Sequence, residues 1–588
     1  MILSASGWRK VFAVSGNEQD KNIEITEESK AISIVAGFVF FEYISEITNQ
    51  QNPVIAVGMD TRPTGPSIVE GILKALISKG AIIQYCGVTS APEIMAFAKK
   101  LDGFIYISAS HNPIGHNGIK FGINDGGVLS AKENAKLINR FNEIVHDDNL
   151  LNEYVKKANS CSSSELRSVY QTKDSSKFNA LNSYKDFAKE TITGTNNKEY
   201  QNDFFGILNN FITENPIGVV CDFNGSSRYQ SIDRDFFKEH NINFYTINEF
   251  EISHEIIPEA ENLCYVQQEM ERLQKAGYKD AVLGYMPDCD GDRGNLVYWD
   301  EKQQKSIILK AQEVFSLSVL AELTYSIWQN TNSTNDIDEN FKPAVAVNCP
   351  TSMRINEIVK TLGATLFRAE VGEANVVNLA REKRAQGYTV RILGEGSNGG
   401  TITYPAAVRD PLNTIFAIIK LLLLKENGLY ELWCNKAKIN YNENFTLTDI
   451  LDSLPKYTTT GVSEPRAVLK VKQAKNEILK ANFQKVFEKE WKEKQQELNN
   501  MYGICSYEAI STNGTVETHN VTDFSTSKAG GLKILFKDKE ENPIAFIWMR
   551  GSQTEPVFRI MCDVKGENPE MEKSLLEWET KMIESADK

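Results

Sequence analysis

Apolar runs of four or five residues alternate with amphipathic stretches of a dozen along most of the chain. PVIAV at 53–57 reads as a strand, 67–79 as an amphipathic helix, 81–85 as the next strand and 104–107 as another. This βαβ rhythm predicts an open, mixed α/β sheet. It restarts with GVVC at 218–221, followed by a helix over 232–240 and strands at 242–245 and 281–285. It restarts again at 344–347, with a helix over 356–362 and strands at 365–367 and 389–393. The pattern then changes: 470–500 is a long charged helix, 532–536 and 544–548 are strands, and 569–586 is a terminal helix. The fold class expected is α/β: three α/β/α mixed-sheet domains at 1–205, 206–330 and 331–455, then a C-terminal α+β domain at 456–588. Residues 155–203 are rich in Ser, Asn, Lys and Glu and read as an exposed loop or insertion with one helix near 183–190. The longest uncharged apolar runs, 31–41 and 415–419, are too short to span a bilayer and read as buried helices.

The 588 residues carry a net charge of -14, which argues against broad nucleic-acid binding but leaves room for a local basic pocket. Nine dispersed cysteines without a Cys-x-x-Cys predict reduced thiols in a cytoplasmic protein. Six histidines with no His-x-x-x-His pair argue against zinc. The start, MILSASGWRK, has no charged region ahead of an apolar one, so neither a signal peptide nor a membrane partner is expected.

Four polar loops follow predicted strands. In YISASHNPIGHNGIKFG (106–122), Ser110 stands at a sharp turn, where a hydroxyl suits nucleophilic or phosphoryl-carrier chemistry. Lys120 is a candidate proton donor or acceptor if burial or neighbouring cations lower its pKa. Gly115, Gly118 and Gly122 would let backbone approach a phosphate. A structural turn is the competing reading. In MPDCDGDRGN (286–295), Asp288, Asp290 and Asp292 alternate, and three carboxylates so close repel one another unless a hard cation such as Mg²⁺ holds them; a solvated acidic turn is the competing reading. Arg293 beside them suits an anionic oxygen. An EF-hand is excluded, since its sixth position is Arg293 and its twelfth Trp299. In GEGSNGG (394–400), Glu395 and Ser397 suit a hydroxyl-rich ligand, although a Gly-rich turn explains the stretch as well. In RGSQTEP (550–556), Arg550, Ser552 and Thr554 suit a terminal phosphate, although a capped turn explains the stretch as well.

Together the four loops resemble those of the α-D-phosphohexomutase superfamily, the phosphoglucomutases and phosphomannomutases, over nearly the whole chain. That family has four domains around a central cleft, each giving one loop. The resemblance implies that Ser110, in SASHNP (108–113), is the phosphoserine, followed by His111, with Lys120 as general acid/base. It implies one Mg²⁺ per active site, held by Asp288, Asp290, Asp292 and an oxygen of phospho-Ser110, with Arg293 catalytic. It implies that Glu395 and Ser397 face sugar hydroxyls, and that Arg550, Ser552, Gln553 and Thr554 grip the phosphate. SASGWR (4–9) and GMDTRP (58–63) resemble two further family motifs, whose Arg9 and Arg62 would face the cleft.

The implied activity is interconversion of hexose 1-phosphate and hexose 6-phosphate, with hexose 1,6-bisphosphate as intermediate and activator. Glucose is favoured over mannose only by chain length; a bifunctional enzyme, a pentose phosphate and glucosamine phosphate stay open. The chain departs from the family at Ser4-Ala5, at Asn398, in the polar insertion, and in EVGEANV (370–376). There, Glu373 and Ala374 stand where the family has a Lys or His that helps choose the sugar. Two rivals remain: a phosphatase using Asp288 of Asp-Cys-Asp-Gly as nucleophile, and a non-catalytic sugar-phosphate sensor. Oligomeric state is unreadable.

Overall fold

A computed structural model describes residues 1–4, 7–332, 340–425, 427–473, 475–551 and 557–588. The chain forms two compact units, residues 1–309 with 402–416, and 310–401 with 417–588.

The first unit holds two mixed sheets. One has six strands in the order Ile2–Ser4, Gly7–Val11, His116–Ile123, Gly103–Ile107, Val54–Met59, Ile82–Val88. Its last three strands are parallel and the others antiparallel. The second sheet runs Lys305–Ile308, Gly294–Asp300, Ala281–Pro287, Gly218–Asp222, Asn243–Ile247. Gly218–Asp222 pairs in parallel with both neighbours, and Gly294–Asp300 turns back antiparallel on Ala281–Pro287. The latter hairpin has residues 288–293 as its connection.

The apolar run at 31–41 belongs to a longer helix, Glu27–Thr48. By length and composition this helix could cross a membrane, which corrects the shorter span read from the sequence; 61% of its apolar window is buried in the fold. It packs on the helix Gly65–Lys79 at backbone distance. A Cβ at Gly37 would lie 2.9 Å from Ala75 Cβ, and one at Gly71 would lie 2.9 Å from Ser33 Cβ.

The polar stretch contains the helix expected near 183–190, but the rest of it is helical too and not a loop. It forms helices Asp148–Asn159, Ser163–Gln171, Lys173–Thr193 and Lys198–Glu214. Ser162 and Glu165 form a reciprocal capping box, and Asp147 and Asn197 cap two of the other helices. Polarity hid a narrow buried stripe, Ala180, Tyr184, Ala188 and Ile192, spaced four apart. Lys173–Thr193 packs on the helix Ala91–Ala98, where Lys177 pairs with buried Glu93 at 2.6 Å.

In the second unit, Thr365–Ala369, Pro343–Asn348 and Thr389–Glu395 form three parallel strands. The helix Ala311–Asn332 packs on Thr389–Glu395. Then comes an antiparallel seven-stranded sheet, backed by the helices Asn476–Tyr502 and Pro569–Ala586. Phe483, Phe487, Phe536 and Trp578 form an aromatic core between them. The α/β class with a C-terminal α+β sheet is therefore the observed one.

Candidate active site

The strand Gly103–Ile107 is fully buried, and the chain turns sharply at its end. Ser110 sits in the left-handed region at φ 55, a conformation costly for a residue with a Cβ unless its surroundings enforce it. They do so here. Ser110 N–H donates to Ser108 Oγ at 2.8 Å. Arg62, 1% exposed, donates to four carbonyls of the loop: Ser110 O (2.8 Å), Asn112 O (2.5 Å), Pro113 O (2.6 Å) and His116 O (3.1 Å). Its Nε lies 3.2 Å from Asp60. Arg62 is thus a staple inside the loop, a different placement from the cleft-facing one the resemblance implies. The loop glycines also differ from expectation: they admit other protein atoms. A Cβ at Gly115 would lie 2.4 Å from Asn17 O, one at Gly118 2.7 Å from Ser108 O, and one at Gly122 2.1 Å from the Phe104 ring.

The hairpin connection 288–293 meets this loop. Ser110 Oγ donates to Asp288 Oδ2 at 2.6 Å, Ser108 Oγ to Asp290 Oδ2 at 3.1 Å, and Lys120 Nζ to the same oxygen at 2.7 Å. Asp288, Asp290 and Asp292 are all buried and each offers an oxygen within 4.8 Å of the others'. Burial, then repulsion from Asp290 and Asp292, pushes the Asp288 carboxyl up to about 8. Burial also opposes charge on Asp290, but Lys120 and Arg409 outweigh it and hold Asp290 below the usual carboxylate range. Asp290 Oδ1 and Asp292 Oδ1 are buried without a hydrogen-bond donor. Crowded oxygens with unfilled acceptor positions fit a hard divalent cation.

A cationic rim surrounds these carboxylates. Arg293 donates its backbone N–H to Asp288 Oδ1 at 3.2 Å, and its Nε lies 3.8 Å from Asp288 Oδ2. Arg9 is pulled down by burial while Asp290 attracts it. His111 Nδ1 lies 3.4 Å from Ser110 Oγ; Arg293, burial, Arg9 and Arg409 push its pKa down to about 2, so the ring is neutral. Lys120 differs from expectation: burial lowers its pKa, but Asp290 and Asp292 more than reverse that, and it is raised. Arg409 was missed in the sequence. Its Nη2 donates to Asp292 Oδ2 at 2.8 Å from 117 positions away, and no local motif marks it.

In the second unit, Glu395 ends the strand Thr389–Glu395. It accepts from Gly372 N–H (2.7 Å) and Asn348 Nδ2 (3.1 Å) on Oε1, and from Asn398 Nδ2 (3.2 Å) on Oε2. Asn348 Nδ2 also donates to Ser397 Oγ at 3.0 Å. Asn348 therefore orients both predicted polar residues, and Gly372 ties the 370–376 segment to them. Arg550 Nε lies 3.3 Å from Glu370 of that segment. Lys480, also missed, donates to Lys528 O (2.8 Å) and Gly530 O (2.6 Å), and burial lowers it to about 7. Ser552, Gln553 and Thr554 lie outside the described residues.

Comparison with known proteins agrees with this architecture. Residues 9–147 match the phosphoglucomutase/phosphomannomutase α/β/α domain I, and residues 323–438 match its domain III. The two matched stretches support the phosphoglucomutase/phosphomannomutase family reading. A phosphoglucosamine mutase of Staphylococcus carnosus is 35% identical over 124 residues, 21% of this chain and 27% of that protein. The chain thus aligns with about a quarter of such a relative's length. A phosphoglucosamine mutase of Thermodesulfovibrio yellowstonii is 25% identical over 89% of this chain and 88% of its own. Among solved structures, the open form of parafusin (phosphoglucomutase) from Paramecium shares the fold. It has a TM-score of 0.62 at 15% identity, over 99% of this chain and 95% of that one.

Proposed function

We propose that the protein is a phosphohexomutase that interconverts hexose 1-phosphate and hexose 6-phosphate through phospho-Ser110. The observation that carries this reading is the convergence of Ser110, Lys120 and three buried carboxylates, contributed by two separate sheets. Phospho-Ser110 transfers its phosphoryl group to the free hydroxyl of the sugar phosphate. The Oγ–P bond breaks and a sugar O–P bond forms, giving a hexose 1,6-bisphosphate. After the bisphosphate turns over, its other phosphoryl group returns to Ser110.

Lys120 Nζ moves the proton of the reacting hydroxyl. Burial already pulls Lys120 toward that task, and Asp290 is the charge that opposes it. Arg293, Arg9 and Arg409 stabilise negative charge around the moving group, and neutral His111 adds none. Asp288, Asp290 and Asp292 would hold Mg²⁺ with a phosphoserine oxygen; when bound, the ion supplies Lewis-acid stabilisation of the phosphoryl oxygens. Glu395 and Ser397 orient sugar hydroxyls, and Arg550 with the 552–554 segment grips the phosphate that is not reacting.

We infer glucosamine phosphate as the preferred sugar, with glucose phosphate second. A carboxylate at Glu373 suits a 2-ammonium group, and relatives along the chain are named phosphoglucosamine mutases. The test is ³¹P NMR with Mg²⁺ and a trace of hexose 1,6-bisphosphate, given glucosamine 1-phosphate and glucose 1-phosphate separately. A 6-phosphate resonance, growing faster with glucosamine, is expected. Faster growth with glucose would reverse the sugar assignment, and inorganic phosphate alone would replace the mutase by a phosphatase.

A further inference from the structure

The helix Lys173–Thr193 belongs to a segment the family resemblance leaves without a role, yet it reaches the carboxylate loop through buried polar groups. Four successive carbonyls of that loop are each held. Asp288 O accepts from Ser226 Oγ (2.6 Å), Cys289 O from Ser227 N (3.0 Å), Asp290 O from Ala91 N (2.8 Å) and Gly291 O from Arg228 Nη1 (3.1 Å). The fourth tether is a fully buried guanidinium. Gly291, at φ 73, lies directly against it; a Cβ there would be 2.3 Å from Arg228 Cγ.

Arg228 keeps its place through three further partners. Its Nε donates to Asp233 Oδ1 (2.9 Å), its Nη1 to Asp410 Oδ1 (3.1 Å) and its Nη2 to Tyr184 Oη (3.0 Å). Tyr184 in turn donates to Asp410 Oδ2 at 2.8 Å. Asp410 also adjoins Arg409, which holds Asp292. One tyrosine from the polar insertion thus closes a relay that bears on the carboxylate loop at both Gly291 and Asp292.

We propose that Tyr184 is a positioning residue, acting through Asp410 and Arg228, that sets the affinity of the Asp288–Asp290–Asp292 loop for a divalent cation. This rests on the reading of that loop as the metal site. Three converging carboxylates repel one another, so their backbone must be held against spreading. Removing the Tyr184 hydroxyl leaves Arg228 Nη2 and Asp410 Oδ2, both buried, each short of a partner. Both groups then shift to find others, and Gly291 and Arg409 shift with them.

The test is Mn²⁺ binding, followed by the EPR signal of free Mn²⁺, on the folded full chain without substrate. Tyr184→Phe keeps the ring, and its Mn²⁺ dissociation constant is expected to rise roughly tenfold. Asp410→Asn, a second variant should the first fold poorly, is expected to show a rise of the same order. Lys189→Ala, on the same helix as Tyr184, breaks an exposed pair with Glu239 of the helix Asp233–Glu239 and is expected to leave it unchanged. A constant within twofold of the parent's in the folded relay variants would overturn the proposal, as would an equal rise in Lys189→Ala. Asp290→Asn is the separate control. If it binds Mn²⁺ as the parent does, the reading of the loop as a metal site fails, whatever Tyr184→Phe does.

Discussion

Arg62 is a residue whose geometry reassigns its work. A motif match points it at a ligand, but four carbonyls and Asp60 surround its guanidinium. Arg62→Met would strand Asp60 as an uncompensated buried charge, so a loss of about 3–5 kcal/mol in urea unfolding is expected. A loss below about 1 kcal/mol, the range of surface pairs, would contradict the staple. His240 makes a pH prediction of known sign. It is 2% exposed, stacked on Phe205 at 4.2 Å, and burial lowers its pKa to about 4. Its unfolded value is near 6.5, so the unfolded chain binds the extra proton first. The stability it contributes is complete above about 6.5 and is lost as pH falls through about 4, by on the order of 3 kcal/mol. His240→Phe should flatten that part of a urea midpoint-versus-pH curve; an unchanged slope between pH 4 and 6.5 would refute the assignment.

At the scale of elements, the helix pair Glu27–Thr48 and Gly65–Lys79 is set by glycine. Gly→Ala in a helix ordinarily stabilises by up to about 1 kcal/mol. At Gly37 the new Cβ would meet Ile72 O at 3.0 Å and Ala75 Cβ at 2.9 Å, so the sign should reverse. A loss of about 1–3 kcal/mol is expected for Gly37→Ala, read as a lower melting temperature, whereas a raised one would refute close packing. The same scale shows what the sequence made legible. Buried strands such as Val54–Met59 and Gly103–Ile107 announce themselves as short apolar runs between turns. Of the helices over 148–214 only the part near 183–190 did, because the buried stripe is narrow and built partly of alanines amid Ser, Asn and Lys. The caps at Ser162 and Asn197 mark helix starts in the sequence. Of the site, Ser110 and the three aspartates were legible because local spacing encodes them. Arg409, Arg228 and Asn348 were not, because each acts on a loop distant in sequence or through a backbone carbonyl.

On the scale of the whole molecule, the chemistry divides between the two units. Ser110, the proposed phosphoryl carrier, Lys120 and the carboxylates belong to the first; the loops with Glu395 and Arg550 belong to the second. Damage to one should therefore be separable from damage to the other. Arg550→Ala is expected to raise KM for the sugar phosphate by roughly a hundredfold, the cost of one charge-assisted phosphate contact, while Mn²⁺ affinity stays unchanged. Equal loss of both would contradict the division. Whether Ser110 carries the phosphoryl group is decided by a labelling experiment. The protein is incubated with Mg²⁺ and hexose 1,6-bisphosphate labelled with ³²P, then digested, and the labelled peptide is sequenced. Acid-stable label is expected on Ser110, chased into hexose 6-phosphate by unlabelled hexose 1-phosphate. Label on Asp288 as an alkali-labile acyl phosphate, or release of labelled inorganic phosphate without label on Ser110, would contradict it.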